Sequence, residues 1–305
     1  MQFLFHRLRF HFRAEGAIHF APGKSGNILR GAFGSVFHQL ARERGETPVY
    51  RRIFEPVAEG PGPSGLADHP RPFVFRASHL DGRVIAAGSP FHFDVHLFDV
   101  AHHDTIAYFI LTFAQLGREG LGPGRSKAAL LAVEQLDLQG APAGRIFENG
   151  AILPPVPIAE LSILLDAPPE PLHHLRVQFL TPTELKSGTQ LAERPEFGIL
   201  LARIRDRVST LRALYGAGPL EMDFAAFGRR AAAVTMTRCD LTHISVSRLS
   251  SRTGQRHSLG GFTGTAWYEG ELSEFLPFLI AGQYTGVGRQ TTWGKGEIAA
   301  VAQKA

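Results

Sequence analysis

Residues 286–301 read GVGRQTTWGKGEIAAV, a glycine-rich segment followed by an apolar stretch. A similar pair of features occurs earlier in the chain, where residues 120–133 read GLGPGRSKAALLAV. Each segment joins residues that favour a turn to an apolar run that is typical of a strand. The segments begin 286 − 120 = 166 positions apart. This spacing suggests that one structural unit has been duplicated.

Three further features occur in the same order in both halves. Strand-like alternation opens each half, and a turn follows, FAPGKSG at 20–26 and LTPTELKSG at 180–188. Apolar stripes of helical period come next: Ile28, Leu29, Phe33, Val36, Phe37 and Leu40 in the first half, and Phe197, Leu200, Ile204, Val208, Leu211 and Tyr215 in the second. The repeated order predicts an α+β protein of two tandem ferredoxin-like (RRM-like) βαββαβ domains with antiparallel sheets.

A proline-rich segment separates the halves. Prolines would interrupt a helix or a central strand between residues 151 and 171, and they stand at positions 154, 155, 157, 168, 169 and 171. We place the domain boundary near residue 170. The predicted domains are 1–170, which carries the candidate catalytic helix, and 171–305, which carries the glycine-rich loop.

The composition is that of a globular protein. Of 305 residues, 44% are hydrophobic and 20% are charged. No apolar run approaches the ~20 residues that span a bilayer, and the start of the chain alternates instead of forming a signal peptide. With Cys239 as the single cysteine, no internal disulfide can form, and we expect a cytoplasmic protein.

Basic residues are concentrated in the second half. Residues 173–305 contain 16 Lys and Arg against 11 Asp and Glu, whereas residues 1–172 contain 16 against 17. A polyanionic partner would therefore be attracted first to the C-terminal half.

Familiar nucleotide and metal motifs are incomplete. GKS at 23–25 resembles the end of a P-loop, but position 18, where that motif requires glycine, is Ile18. The glycines from 286 lack the third glycine of a dinucleotide fingerprint. The pairs His102–His103 and His173–His174 have no acidic cluster beside them. The sequence therefore predicts neither a cofactor nor a metal site.

The densest motif is the loop 286–296. Its glycines permit tight turns that could expose backbone N–H groups to phosphate oxygens. The loop also contains cations and hydrogen-bond donors, so we predict RNA contacts for Gly286, Gly288, Arg289, Gln290, Thr291, Gly294, Lys295 and Gly296. The alternative is a tight helix-to-strand connection with no binding role.

This loop resembles a known family signature. Two Gly-apolar-Gly elements separated by five residues are typical of the RAMP superfamily, and the match is to its CRISPR precursor-RNA-processing endoribonucleases. One position, Lys295, departs from the pattern, which prefers an apolar residue there. Further stretches that resemble the family are LRGAFGSVF at 29–37, YRRIFEP at 50–56, RPFVFR at 71–76, GLGPGR at 120–125, FLTPTELKSG at 179–188 and GGFTGTAWYEGEL at 260–272.

The resemblance implies a reaction and a partner. Such enzymes hold CRISPR repeat RNA on tandem ferredoxin-like domains, and the RNA's own 2′-hydroxyl attacks the adjacent phosphate without a metal ion. The products would be a 2′,3′-cyclic phosphate and a 5′-hydroxyl. Other Cas effector subunits are further candidate partners, and both a monomer and a homodimer remain open. The alternatives are a non-cleaving RAMP subunit of an effector complex and an enzyme that binds a phosphorylated small molecule in its glycine loops.

The resemblance also indicates catalytic residues. Family members commonly use a histidine on or just after the first helix as general base, and His38 fits this position. A helix places His38 on one face with Gly31, Gly34 and Arg42, where the glycines would leave the surface uncovered. Histidine side chains titrate near pH ~6.5 and so serve as acid or base at neutral pH. Lys24 is the candidate for stabilising phosphate charge.

Several alternatives remain for this assignment. His38 could be a solvated helix residue, with the glycines serving close helix packing. His6, His11 and His19 are competing histidines. Many relatives place a tyrosine beside the base, and no tyrosine precedes His38 in this chain.

A hairpin predicted over 241–268 supplies the last candidates. Its tip carries Arg252 and Arg256, with Arg248 just before it, and in the family a hairpin here suits the base of the repeat stem–loop. We predict that these three arginines contact RNA. Arg203 and Arg207, on a helix predicted over 196–215, are instead expected to be solvated.

Overall fold

The computed structural model describes residues 1–56, 69–102, 104–153, 161–166, 171–245, 247–249, 256–258 and 260–303. The chain forms two compact units. The first unit comprises Leu4–Ser162 with Leu214–Gly216, and the second comprises Ile163–Ala213 and Ala217–Ala305 with Met1–Phe3. Residue 170, the predicted boundary, lies outside the described residues.

The first unit is built around an antiparallel sheet of order β3-β5-β1-β6-β7-β8, with β9 beside β1. The strands β3, β5, β1 and β6 with helices α1 and α3 form one βαββαβ unit. The elements are β1 (Gln2–Ala14), β2 (Ile18–His19), α1 (Ser25–Glu43), α2 (Thr47–Phe54), β3 (Phe73–Arg76), a 3₁₀ turn (Ser78–Leu80), β4 (Val84–Ile85), β5 (Pro90–Leu97), α3 (Asp104–Glu119), β6 (Ala128–Leu136), β7 (Pro142–Glu148), β8 (Ala151–Ile152) and β9 (Leu161–Leu164).

Phenylalanines fill the core of this unit. Alternation along β1 turns Phe10 and Phe12 inward, where they pair with Phe93 and Phe91 of β5 and stack on them at 5.6 and 5.4 Å between ring centroids. Phe33 of α1 is fully buried in the same cluster. The predicted α1 stripe therefore attaches the helix to the sheet through aromatic contacts.

The second unit repeats the topology. Its sheet has the order β13-β16-β10-β17. Counted along each βαββαβ unit, this is the same 2-3-1-4 order that β3-β5-β1-β6 has in the first unit. The elements are β10 (His174–Thr183), β11 (Lys186–Ser187), β12 (Gln190–Leu191), α4 (Phe197–Tyr215), α5 (Phe224–Ala232), β13 (Thr235–Ile244), β14 (Ser247–Leu249), β15 (Arg256–Ser258), β16 (Gly261–Glu269), α6 (Leu276–Thr285) and β17 (Ile298–Gln303), with 3₁₀ turns at Ser273–Phe275 and Thr291–Trp293. The predicted tandem ferredoxin-like fold is confirmed.

In the described part of the chain, no helix combines the length and apolar character needed to cross a membrane.

Candidate active site and the glycine-rich loop

His38 lies near the C-terminal end of α1, with its side chain exposed to solvent. Its imidazole meets the ring of Tyr50 edge to face, at 4.8 Å between ring centroids and an interplanar angle of 67°. The apolar stripe of α1 faces the core, so an incoming ligand can reach the imidazole while Tyr50 limits its orientation.

The structure corrects the role predicted for one glycine of this helix face. A Cβ atom at Gly31 would meet nothing within 4 Å, as expected for an uncovered surface. A Cβ atom at Gly34 would lie 2.4 Å from Cζ of Phe54. Gly34 is therefore covered by Phe54, and it serves close packing of α2 on α1, which was the alternative interpretation.

A tyrosine does stand beside the candidate base, although it follows His38 in the sequence. Tyr50 of α2 is 7% exposed, and its hydroxyl lies 3.4 Å from Oε1 of Glu55. Burial raises the pKa of Tyr50, and the negative charge of Glu55 raises it further. The hydroxyl therefore stays protonated at neutral pH. The absence of a tyrosine before His38 does not count against catalysis.

Two arginines lie on the Phe54 ring next to this tyrosine. The guanidinium carbon of Arg30 is 4.5 Å from the ring centroid of Phe54, and that of Arg71 is 5.5 Å from it. Arg71 also donates through Nε to the backbone oxygen of Phe54 at 2.6 Å. Phe54 in turn stacks on Tyr50 at 5.4 Å. We call Arg30, His38, Tyr50, Phe54 and Arg71 the α1–α2 cluster.

Sequence reasoning missed the three polar members of this cluster other than His38. Arg30 precedes His38 by eight residues, two helical steps of four, so helix periodicity alone could have found it. Tyr50 and Arg71 come from other elements, and no local signal connects them with His38.

Lys24 does not belong to the cluster. It is the N-cap residue of α1, and fourteen residues of helix at about 1.5 Å each place it about 21 Å from His38 along the axis. The predicted pairing of Lys24 with His38 at one phosphate is therefore wrong.

The glycine-rich loop, residues 286–296 of the second unit, is largely buried. Gly286, Thr291 and Gly296 are buried, and Lys295 is 4% exposed, as the apolar preference of the family pattern at this position requires. Arg289 is the exception. Its side chain is 51% exposed and forms an ion pair with Glu184 at 3.1 Å. The expectation that Lys295 faces outward toward RNA is wrong.

The amides of this loop are engaged within the protein. The N–H of Val287 donates to the carbonyl of Gly296 at 2.9 Å, and the N–H of Gly296 donates to Pro182 at 3.2 Å. The N–H of Arg289 donates to Glu184 at 3.1 Å and that of Gly294 to Thr291 at 3.0 Å. For these amides, the predicted phosphate-binding role is wrong.

The glycines instead allow one backbone to approach another. Gly288 and Gly296 have φ angles of +79° and +67°. Cβ atoms there would lie 2.1 Å from the carbonyl oxygen of Glu184 and 1.9 Å from that of Val287. What remains for contact with a ligand is the outer surface at Arg289 and the partly exposed residues Gly288, Gln290 and Gly294.

The hairpin residues are placed only in part. β13 and β16 pair from Thr235↔Glu269 to Ile244↔Gly261, and β14 and β15 form a separate pair, with Leu249 opposite Arg256. Arg248 and Arg256 thus lie on facing strands, while Arg252 lies outside the described residues.

The two arginines of α4 have partners within the protein. Arg203 pairs with Asp206 at 3.1 Å, and Nε of Arg207 donates to the carbonyl of Thr285 at 2.9 Å. These contacts agree with a structural role rather than RNA binding.

Among the residues that the structure describes, no group of three or more His, Cys, Asp or Glu side chains could hold a metal ion.

Residues 177–298, which include the glycine-rich loop, match the family of the CRISPR-associated endoribonuclease Cas6. The C-terminal part of the chain is therefore similar to Cas6 proteins. Residues 3–158 match a family described as an N-terminal domain.

Solved Cas6 structures share the fold. A Cas6 product complex matches with a TM-score of 0.58 and 15% identity, covering 98% of this chain and 100% of that one. A second Cas6 product complex has a TM-score of 0.53 and 19% identity, with 98% and 100% covered. Cas6 of Thermus thermophilus has a TM-score of 0.56 and 15% identity, with 98% of each chain covered. None of the curated proteins matches the chain significantly.

Proposed function

We propose that this protein is a Cas6 endoribonuclease, that it cleaves CRISPR repeat RNA by intramolecular transesterification, and that no metal ion takes part. The proposal is carried by one observation, the exposed imidazole of His38 held against Tyr50, whose ring stacks on Phe54, where Arg30 and Arg71 lie. This arrangement supplies a base and two cations, which the attack of a ribose hydroxyl on a phosphodiester needs.

In this mechanism, His38 removes the proton from a ribose 2′-hydroxyl. The 2′-oxygen forms a bond to the adjacent phosphorus, and the bond between phosphorus and the 5′-oxygen breaks. The departing 5′-oxygen takes up a proton from the solvent, which leaves a 5′-hydroxyl and a 2′,3′-cyclic phosphate. Arg30 and Arg71 offset the negative charge that builds up on the phosphorane. Tyr50 acts as a positioning residue for the imidazole.

RNA contacts in the second unit complete the proposal. Arg289 and Gln290 present the outer surface of the glycine-rich loop, and Arg248, Arg252 and Arg256 belong to the hairpin that we expect to contact the repeat. Similar solved structures include a Cas6 substrate mimic complex with a TM-score of 0.50 and a partial Cas6-RT-Cas1–Cas2 complex with a TM-score of 0.54. They support repeat RNA as the partner and contact with other Cas proteins.

The deciding experiment incubates purified protein with a repeat transcript in the presence of excess EDTA. We expect one cut per repeat, with a 2′,3′-cyclic phosphate on the upstream product and a 5′-hydroxyl on the downstream product. Binding without cleavage would favour the non-cleaving RAMP subunit. Cleavage that appears only after Mg²⁺ is added, with a 5′-phosphate on the product, would refute the mechanism.

A further inference from the structure

A cavity of about 320 Å³ opens in the first unit, away from the α1–α2 cluster. It lies between the C-terminal part of α3 and strands β6 and β7. In the order of the sheet, these two strands lie on the side of β1 opposite to β5. The polar groups that line it are Glu15, Arg118 and Lys127, and the larger apolar groups are Leu130 and Phe147. Its volume falls at the lower end of the range for small-ligand sites, roughly 300–1,000 Å³.

Both cations of this cavity are exposed to solvent. Within the part of the chain that the structure describes, neither Arg118 nor Lys127 forms an ion pair or a side-chain hydrogen bond. Other arginines of the same unit are neutralised, as Arg9 is by Asp94 at 2.7 Å and Arg145 by Glu134 at 2.9 Å. Two unpaired positive charges that line one cavity produce a local field that attracts an anion.

The remaining walls suit the other parts of a nucleotide. Phe147, at 5% exposure, and Leu130 give an apolar surface against which a base can pack. Glu15 offers a carboxylate, and its N–H donates to the carbonyl of Lys127 at 2.8 Å, which fixes the acidic and basic sides of the cavity relative to each other. A carboxylate accepts hydrogen bonds from an exocyclic amino group of a base.

We propose that this cavity binds one ribonucleotide of the repeat RNA outside the cleavage site, with its phosphate on Arg118 and Lys127 and an amino-bearing base facing Glu15. The proposal rests on the proposed function, because that function makes RNA the ligand. A free nucleotide shares the same chemistry, so the experiment includes both sources.

The position of the cavity determines which step it affects. Tyr108 of α3 contacts Phe37, the neighbour of His38 on α1, at 5.8 Å between ring centroids. Arg118 follows Tyr108 by ten residues, about 15 Å along the helix. The bound nucleotide is therefore distinct from the one that is cut, and its loss weakens RNA binding without slowing the chemical step.

The test compares Arg118→Ala/Lys127→Ala with the control Arg83→Ala/Lys186→Ala, which removes two exposed positive charges elsewhere. For the cavity variant we expect a dissociation constant for repeat RNA that is at least tenfold larger than that of the wild type. We also expect the slope of log affinity against log salt to become shallower by about 0.7, the contribution of one neutralised phosphate on a single strand. The control should change the dissociation constant by less than threefold. When the cavity variant is present at a saturating concentration, it should cleave the RNA within twofold of the wild-type rate.

A cavity variant that matches the control in both affinity and salt slope would overturn the proposal. Calorimetry with AMP, CMP and UMP tests the source of the ligand. The cavity variant could lose nucleotide binding while its RNA affinity still matches that of the control. That result would identify a free nucleotide as the ligand and would also overturn the proposal that the cavity binds RNA. Glu15→Gln should reduce the preference of the wild type for AMP and CMP over UMP. Failure of the proposed function is read separately, from cleavage by His38→Ala.

Discussion

His38→Ala is expected to lower the single-turnover rate of repeat-RNA cleavage by about 10²–10⁴-fold, the usual contribution of a positioned general base. The side chain is exposed, so its removal leaves no cavity in the core, and the fold and RNA affinity should be retained. Tyr50 would lose its contact with the imidazole but keep its ring contacts with Phe37 and Phe54. The measurement is the cleavage rate with enzyme in excess over labelled RNA.

The matched control is His19→Ala. His19 is exposed in the same unit and lies on β2, with no partner among the α1–α2 cluster. It should cleave at the wild-type rate. If His38→Ala also cleaves at the wild-type rate, His38 is not the base.

Gly296→Ala is expected to destabilise the second unit by about 3 kcal/mol or more. The new Cβ would lie 1.9 Å from the carbonyl oxygen of Val287, and such overpacking costs about 1–3 kcal/mol. The φ of +67° adds about 1–2 kcal/mol for a residue other than glycine. The two tryptophans of the chain, Trp267 and Trp293, both lie in this unit, so their fluorescence during urea unfolding reports its stability.

Gly188→Ala separates the two costs. Gly188 has a similar φ of +60°, but a Cβ there would meet nothing within 4 Å. This variant should lose only the backbone cost of about 1–2 kcal/mol. Equal losses for the two variants would show that the loop 286–296 is not as closely packed as described.

The fold could be predicted because its signals are local. Alternation along β1 and the α1 stripe through Phe33 depend only on sequence spacing, and both elements form as the pattern indicates. The duplicated order of features then favours one topology for both halves, and the two sheets share it.

Local sequence signals reach only the part of the candidate site that lies on α1, namely His38 and, by helix periodicity, Arg30. Tyr50 and Arg71 reach it through the packing of α2 on α1, which depends on Phe54 filling the space beside Gly34. Lys24 is close in sequence but at the opposite end of a helix. Proximity along the chain was therefore a poor guide to proximity in space.

The glycine-rich loop shows why composition alone was ambiguous. A loop that exposes its amides and a loop that approaches another backbone closely both require glycine. Gly288 and Gly296 belong to the second kind, because carbonyl oxygens of Glu184 and Val287 occupy the space of a side chain. Lys295 is buried together with this closely packed loop. The sequence alone could not show whether its charge lies at the surface or inside.

The most direct test of the proposed chemistry replaces a single ribose of the repeat RNA, the one on the 5′ side of the cleaved phosphate, with deoxyribose. The nucleophile is then absent, whereas the phosphate, the bases and nearly all RNA contacts remain. We predict that this RNA binds with an affinity close to that of the unmodified repeat and is not cut at that phosphate. Cleavage of the deoxy-substituted RNA at the same phosphate would contradict attack by the 2′-hydroxyl.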